Sequence, residues 1–200
     1  HQDWVFFLCS GLYALSVGLV FTIRTASTGI IESGKGMSVI FRNAAAGLNF
    51  MYHHPLALPL ILLVIAHCGM TMSFESLFPV ISRDKLGLEG ETGILGGASY
   101  MMVGFGSAAI VSTFLVAGVR SERIRGHLFL WLGVLSGVTP IALAMAPNLP
   151  LAMVSAAGMG AAQSGFMALS HAMIQMIAPD AIRGRLIGVY SWHILGFMAT

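Results

Sequence analysis

From Leu151 to Ile177 the chain runs for 27 residues without an Asp, Glu, Lys or Arg. A helix needs about 20 apolar residues to cross the hydrocarbon core of a bilayer, so this run is long enough to span one with some tilt. It ends at Pro179-Asp180-Ala181-Ile182-Arg183-Gly184-Arg185, a short polar turn, after which Leu186 opens another apolar run. Two apolar arms joined by a basic turn predict a membrane hairpin. Within the first arm small residues recur every fourth position, at Ala152, Ala156, Gly160, Ser164, Ala168 and Ala172. Such a ridge lets a second helix approach closely, which matters where lipid supplies no hydrophobic drive for association.

Composition extends the argument to the whole chain. Only ten basic and eight acidic residues occur in 200, hydrophobic residues make up 56%, and the mean hydropathy is +0.85. Soluble domains carry about 25% charged residues, so a soluble globular fold is excluded. The fold class expected is an all-α membrane protein, a polytopic helical bundle. Cys9 and Cys68 lie inside apolar runs and read as small buried hydrophobes rather than a disulfide or a metal pair. The chain starts at His1 and stops at Thr200 within an apolar run, so it is expected to be a fragment of a longer membrane protein.

Six spans are predicted. The first is Trp4 to Ile23, taken with residues 1–23 as the last helix of a preceding bundle. Residues 24–54 form a polar linker whose second half, Met37 to Tyr52, places Ile40, Ala44, Leu48 and Tyr52 four apart. That spacing suits a surface-lying amphipathic helix, with a flexible linker as the alternative. Residues 55–200 hold five more spans, Pro55–Ile81, Thr92–Val119, His127–Ala146, Leu151–Ile177 and a truncated one from Leu186. Loops 24–54, 120–126 and 178–185 fall on one face and carry Arg24, Lys35, Arg42, Arg120, Arg123, Arg125, Arg183 and Arg185, eight of the ten basic residues. The excess of Lys and Arg on cytoplasmic loops then places linker 24–54 in the cytoplasm. The positive charge answers to topology and does not call for nucleic acid.

Polar groups at membrane depth mark a pathway or a partner by default. His67, Thr71 and Glu75 are four residues apart and predicted to share one face of the second span. On the fifth, Ser164, His171 and Gln175 make a similar stripe with Gln163 beside it, and His193 is the ionisable residue of the sixth. His67 and Ser164 fall near the middle of their spans, and Glu75 about 12 Å further along at 1.5 Å per residue. Hydrocarbon opposes the charged forms of Glu75 and His67, which suits groups that exchange a proton. Helix packing is the bland reading of His67, and snorkelling to water that of His171 and Gln175. No spaced metal-ligand set, phosphate loop or cofactor motif occurs, and no metal or cofactor is expected. Gln163-Ser164-Gly165 approaches the Gly-x-Ser-Gly of intramembrane serine proteases. Its first glycine is missing, however, and His171 lies roughly 10 Å along the same helix, so the chain is not expected to be an enzyme.

Three stretches resemble a known family. Pro179-Asp180-x-x-Arg183-Gly184-Arg185, leading into Leu186-Ile187-Gly188-Val189-Tyr190-Ser191, resembles the loop between the tenth and eleventh helices of major facilitator superfamily exporters in the enterobactin-exporter, or transmembrane secretion effector, group. Ala46-Gly47-Leu48-Asn49-Phe50 through His54-Pro55-Leu56 resembles that group's entry into its seventh helix. Ser73-Phe74-Glu75-Ser76-Leu77-Phe78-Pro79-Val80, with Arg83-Asp84-Lys85-Leu86-Gly87-Leu88, resembles the end of that helix and the loop after it. The resemblance implies the C-terminal half of a major facilitator fold, cut from about the sixth helix to the eleventh. In that fold the seventh and tenth helices line the central cavity, here the spans carrying His67 and Ser164. Gly118-Val119-Arg120-Ser121-Glu122-Arg123 keeps part of the family's cytoplasmic charge motif. The expected function is proton-coupled efflux of a small amphipathic or siderophore-like compound across a bacterial inner membrane, with a metabolite importer or a membrane sensor as alternatives. Its partners would be the small-molecule substrate, membrane lipid and the missing N-terminal half of the same transporter. Glu122, Arg123, Asp180, Arg183 and Arg185 would form the cytoplasmic gate.

Overall fold

In the computed structural model, residues 3–22, 37–88, 94–180 and 182–198 are described, and side chains 192–198 are left aside. All regular structure among them is helical: α1 (Asp3–Thr22), α2 (Met37–His53), α3 (Ala57–Thr71), α4 (Phe78–Val80), α5 (Ile94–Ala117), α6 (Glu122–Met145), α7 (Leu149–Ile177) and α8 (Arg183–Met198). By length and composition, three stretches can cross a membrane: Ala57–Lys85, Gly96–Ala117 and Glu122–Met145. α7 is longer, at 29 residues, and carries no charge, but its glycines, alanines, serines and glutamines keep it less apolar than those three. The apolar part of α1, Phe6–Thr22, is shorter. The described sixth arm, α8, has 16 residues. Three of the six expected spans therefore meet the combined criterion, and the His193 side chain and linker residues 23–36 lie outside what is described.

α7 is polar for a membrane helix because it is the centre of the bundle. α5 and α6 pack along it, and the ridge of small residues is where α5 fits. Ala152 and Ala156 are fully buried and Gly160 is buried. A Cβ on Gly160 would run into the carbonyl of Phe105 in α5, and one on Gly104 would come within 3.1 Å of the Met153 carbonyl in α7. Backbone thus meets backbone, as small-residue ridges permit. Beyond Gly160 the ridge turns off the contact, since Ser164, Ala168 and Ala172 are half-buried. Ser112 continues the seam by donating to the Ala161 carbonyl at 2.7 Å.

The outer faces of α5 and α6 carry large apolar groups in the open, among them Phe114 at 76% and Trp131 at 71% exposure. An outside that is apolar and an inside that is small and partly polar is the pattern of a helix bundle whose solvent is lipid. Two buried clusters lie at opposite ends of α7. One gathers Phe78, Met101 and Leu143 around Ala152 and Met159; the other gathers Val64, Phe129 and Tyr190 around Phe166 and Leu169.

α2 presents two faces. The segment is helical, and Ala44, Leu48 and Tyr52 of the expected apolar stripe are exposed. The face packed into the bundle is an adjacent one with Gly47 and Met51, turned toward α8 and α3. A Cβ on Gly47 would stand 3.2 Å from the Arg185 carbonyl, so the small residue decides which face docks.

The two ends of the bundle are tied by side chains. Arg125 Nε donates to the Val119 carbonyl at 2.8 Å, and its Nη1 reaches Met176 Sδ at 3.2 Å, joining loop 120–126 to the end of α7. At the opposite end Lys85 Nζ donates to the Ala144 carbonyl in the last turn of α6, where unpaired carbonyls favour a cation.

Candidate functional site

The span carrying His67 is not one continuous α-helix. α3 ends at Thr71, whose backbone departs to φ −117°, ψ −28°. Met72–Leu77 follows as a 3-10 segment, then α4, then a wider π turn over Ile81–Lys85 closed by Leu86 N–H donating to the Ile81 carbonyl. Pro79 accounts for the tight part. A regular helix would pair the Glu75 carbonyl with the N–H of residue 79, which proline lacks. That carbonyl accepts from Phe78 N–H instead, one residue earlier.

The tightening corrects the expected stripe. Four residues of α-helix advance about 40° beyond a full turn, but four residues of 3-10 advance about 120°. Glu75 is therefore rotated away from His67 and Thr71. It is half-buried, whereas His67 and Thr71 are buried at 7% and 6% exposure.

His67, Thr71 and Gln163 do come together, joined by a residue of α6. Thr71 Oγ1 donates to the His67 carbonyl at 2.6 Å. Gln163 Nε2, from α7, donates to the Thr71 carbonyl at 2.9 Å. Ser136 Oγ lies 3.0 Å from His67 Nδ1 and 2.8 Å from the Gly133 carbonyl. A hydroxyl has one proton. When Ser136 donates it to the carbonyl, His67 Nδ1–H donates to Ser136 and Nε2 is left as a bare acceptor. Among the described residues Nε2 is indeed buried without a hydrogen-bond partner. Pro140 stands four residues after Ser136 and lacks the N–H that would pair the Ser136 carbonyl. The ladder of α6 is thus opened near this cluster, and that of α3 tightens to 3-10 directly after Thr71.

Aromatic rings close it off. Phe166 stacks on His67 with centroids 4.1 Å apart and on Phe129 at 4.4 Å, so it is the middle of three rings. Gly133 makes room for it, since a Cβ there would lie 3.3 Å from the Phe166 ring. His67 is consequently a sealed interior group linking α3, α6 and α7.

The other expected pathway residues separate. Ser164 is half-buried on α7, and Gln175 is exposed. His171 is half-buried, donating from Nδ1 to the Met167 carbonyl at 2.9 Å, with its ring edge-on to Tyr190 at 4.9 Å. Beside it Ser170 donates to the Met167 carbonyl at 2.8 Å, which leaves the Tyr190 hydroxyl to donate to Ser170 Oγ at 2.6 Å. This second cluster pins α8 to α7. Among the expected gate residues, Glu122 and Arg123 are exposed at the start of α6, and Asp180 pairs with Arg183 at 2.5 Å within its own turn. Arg185 is half-buried beside α2.

Ser136 and Phe166 have no counterpart in the sequence reading, because a lone hydroxyl or phenyl ring in an apolar run carries no periodic signal. Gly133-x-x-Ser136, a small pair one turn apart facing α3 and α7, is the trace that was present. Among the described residues no group of three or more His, Cys, Asp or Glu is placed to hold a metal ion.

Comparison with known proteins is consistent with this helical membrane architecture. The profile of the transmembrane secretion effector family matches residues 11–200. The multidrug efflux pump Tap of Mycolicibacterium fortuitum is 23% identical over 181 residues, which cover 90% of this chain and 42% of that protein. The chain therefore spans less than half the length of this curated relative. No solved structure matches it. A match over nearly the full chain, on a bundle of apolar helices around a small-residue centre, places this multi-pass membrane protein in the transmembrane secretion effector family of the major facilitator superfamily.

Proposed function

We propose that the chain is the C-terminal part of a secondary transporter that exports small amphipathic or siderophore-like molecules across a bacterial inner membrane in exchange for protons. The other half of the cavity comes from an N-terminal bundle of the same protein, and linker 24–54 lies in the cytoplasm. Family membership and the efflux pump among the relatives support export. The observation that carries the coupling is Glu75, a half-buried carboxylate on the 3-10 break of an apolar span. A carboxylate so placed is neutral or paired, because hydrocarbon penalises the lone charge. A proton and a cationic group of the substrate then exclude one another at Glu75, and exchange follows from that competition. His67 is the weaker candidate because the Phe166 stack and Ser136 enclose it. Loops 120–126 and 178–185 form the cytoplasmic gate, the first tied by Arg125 to Met176 at the end of α7. In that role Asp180 and Arg183 exchange their mutual pair for partners on the other half.

The test is efflux from cells or vesicles carrying the full-length protein. Glu75→Gln is expected to abolish the pH dependence of efflux while substrate binding persists. Wild-type pH dependence in that variant would remove Glu75 from the mechanism.

A further inference from the structure

We propose that Gln163 is a latch that holds the span of α3 broken at Thr71 and thereby positions Glu75, a step that rests on the role given to Glu75 above. Three observations converge on one peptide. The Thr71 backbone stretches to φ −117° within the right-handed helical region, and the tight 3-10 segment starts directly after it. The Thr71 carbonyl accepts the Gln163 amide at 2.9 Å across 92 positions of sequence. Gln163 itself is 2% exposed.

The hydrogen bonding shows what the amide adds. In a continuous helix the Thr71 carbonyl would pair with the N–H of residue 75. As the N-cap of Met72–Leu77 it enters the first 3-10 turn instead. A carbonyl has two lone pairs, and Gln163 donates to this one from α7, which ties the junction to that helix. Thr71 Oγ1 adds to the bend by occupying the His67 carbonyl at 2.6 Å, a back-bond that bends helices. At the other end of the segment, Leu77 has φ −86°, ψ −9°, and Pro79 denies the Glu75 carbonyl its usual partner. Met72–Leu77 is therefore a short unit with a joint at each end, and Glu75 is on it. The Gln163 bond fixes the inner joint to α7, so a movement of α7 against α3 passes to Glu75 through one amide.

The latch is tested in the full-length protein on a cysteine-free background, with spin labels at Leu77→Cys, on the segment, and Trp131→Cys, on the outer face of α6. Gln163→Met keeps the length and removes the donor; Gln163→Asn keeps an amide too short to reach. Both are expected to turn one Leu77–Trp131 distance population into two or more by pulsed electron resonance. Each is also expected to displace the pH profile of efflux, with no further displacement when Glu75→Gln is already present. A single wild-type distance population in both variants overturns the latch. Failure of both variants to accumulate in the membrane overturns it too, since Gln163 would then be a folding contact. If the distances broaden but Glu75→Gln itself keeps the wild-type pH dependence, the latch stands and the role of Glu75 falls.

Discussion

At the residue scale, His67 separates two meanings of a polar group in a membrane helix. Its position near mid-span and its place in a four-residue series were legible in the sequence. Its surroundings were not, because they come from Ser136 and Phe166, 69 and 99 positions away. Those neighbours make the ring a packing element: it stacks on Phe166 and spends one nitrogen on Ser136, while the other has no partner among the described residues. A phenyl ring would keep the stack and lose only a modest bond, so His67→Phe is expected to change stability by no more than about 1 kcal/mol, as volume-conserving swaps do. Truncation empties the space between α3, α6 and α7, and His67→Ala is expected to cost about 2–4 kcal/mol. Unfolding in detergent reads both. Equal losses would mean that the imidazole nitrogens, rather than the ring, hold the helices together.

The element scale shows where periodicity misleads. Counting by fours along Pro55–Ile81 assumes one helix throughout, and on that assumption His67, Thr71 and Glu75 align. Thr71 and Pro79 were both visible, and each weakens the ladder, but neither says what the junction is tied to. That depends on Gln163, which belongs to another helix. The same limit applies to α2, whose helix was foreseen while its packed face was chosen by Gly47 against Arg185. By contrast the ridge of α7 was legible, because close packing of small residues is written directly in their spacing. If Pro79 causes the 3-10 segment, Pro79→Ala restores an N–H to the Glu75 carbonyl. The new amide at position 79 is expected to exchange slowly with solvent deuterium, by at least about tenfold relative to an open turn, or about 1.4 kcal/mol of protection. Rapid exchange there would show that the break is imposed by α7 alone.

The whole molecule is arranged by charge. Eight of ten basic residues were assigned to one face from the alternation of spans, although α1, α7 and α8 do not meet the combined length and hydropathy criterion on their described residues. The side-chain ties support the alternation independently of hydropathy. Arg125 brings loop 120–126 to the end of α7, one turn before Asp180, and Lys85 brings the loop after α4 to the end of α6. The two ties lie at opposite ends of α6, so the charged loops they join lie at opposite ends of the bundle. Single cysteines at Ser121, Asp180 and Asp84, each exposed, turn this into a measurement. In right-side-out vesicles a membrane-impermeant thiol reagent is expected to label the Asp84 position alone. In inverted vesicles it is expected to label the other two. The helices would keep their contacts in either orientation, so the result depends on the loops and on the preference of Lys and Arg for the cytoplasmic side. Labelling of Ser121 and Asp84 from the same side would refute the alternation. Labelling with the sides exchanged would preserve the bundle and invert the charge rule, and would move linker 24–54 out of the cytoplasm.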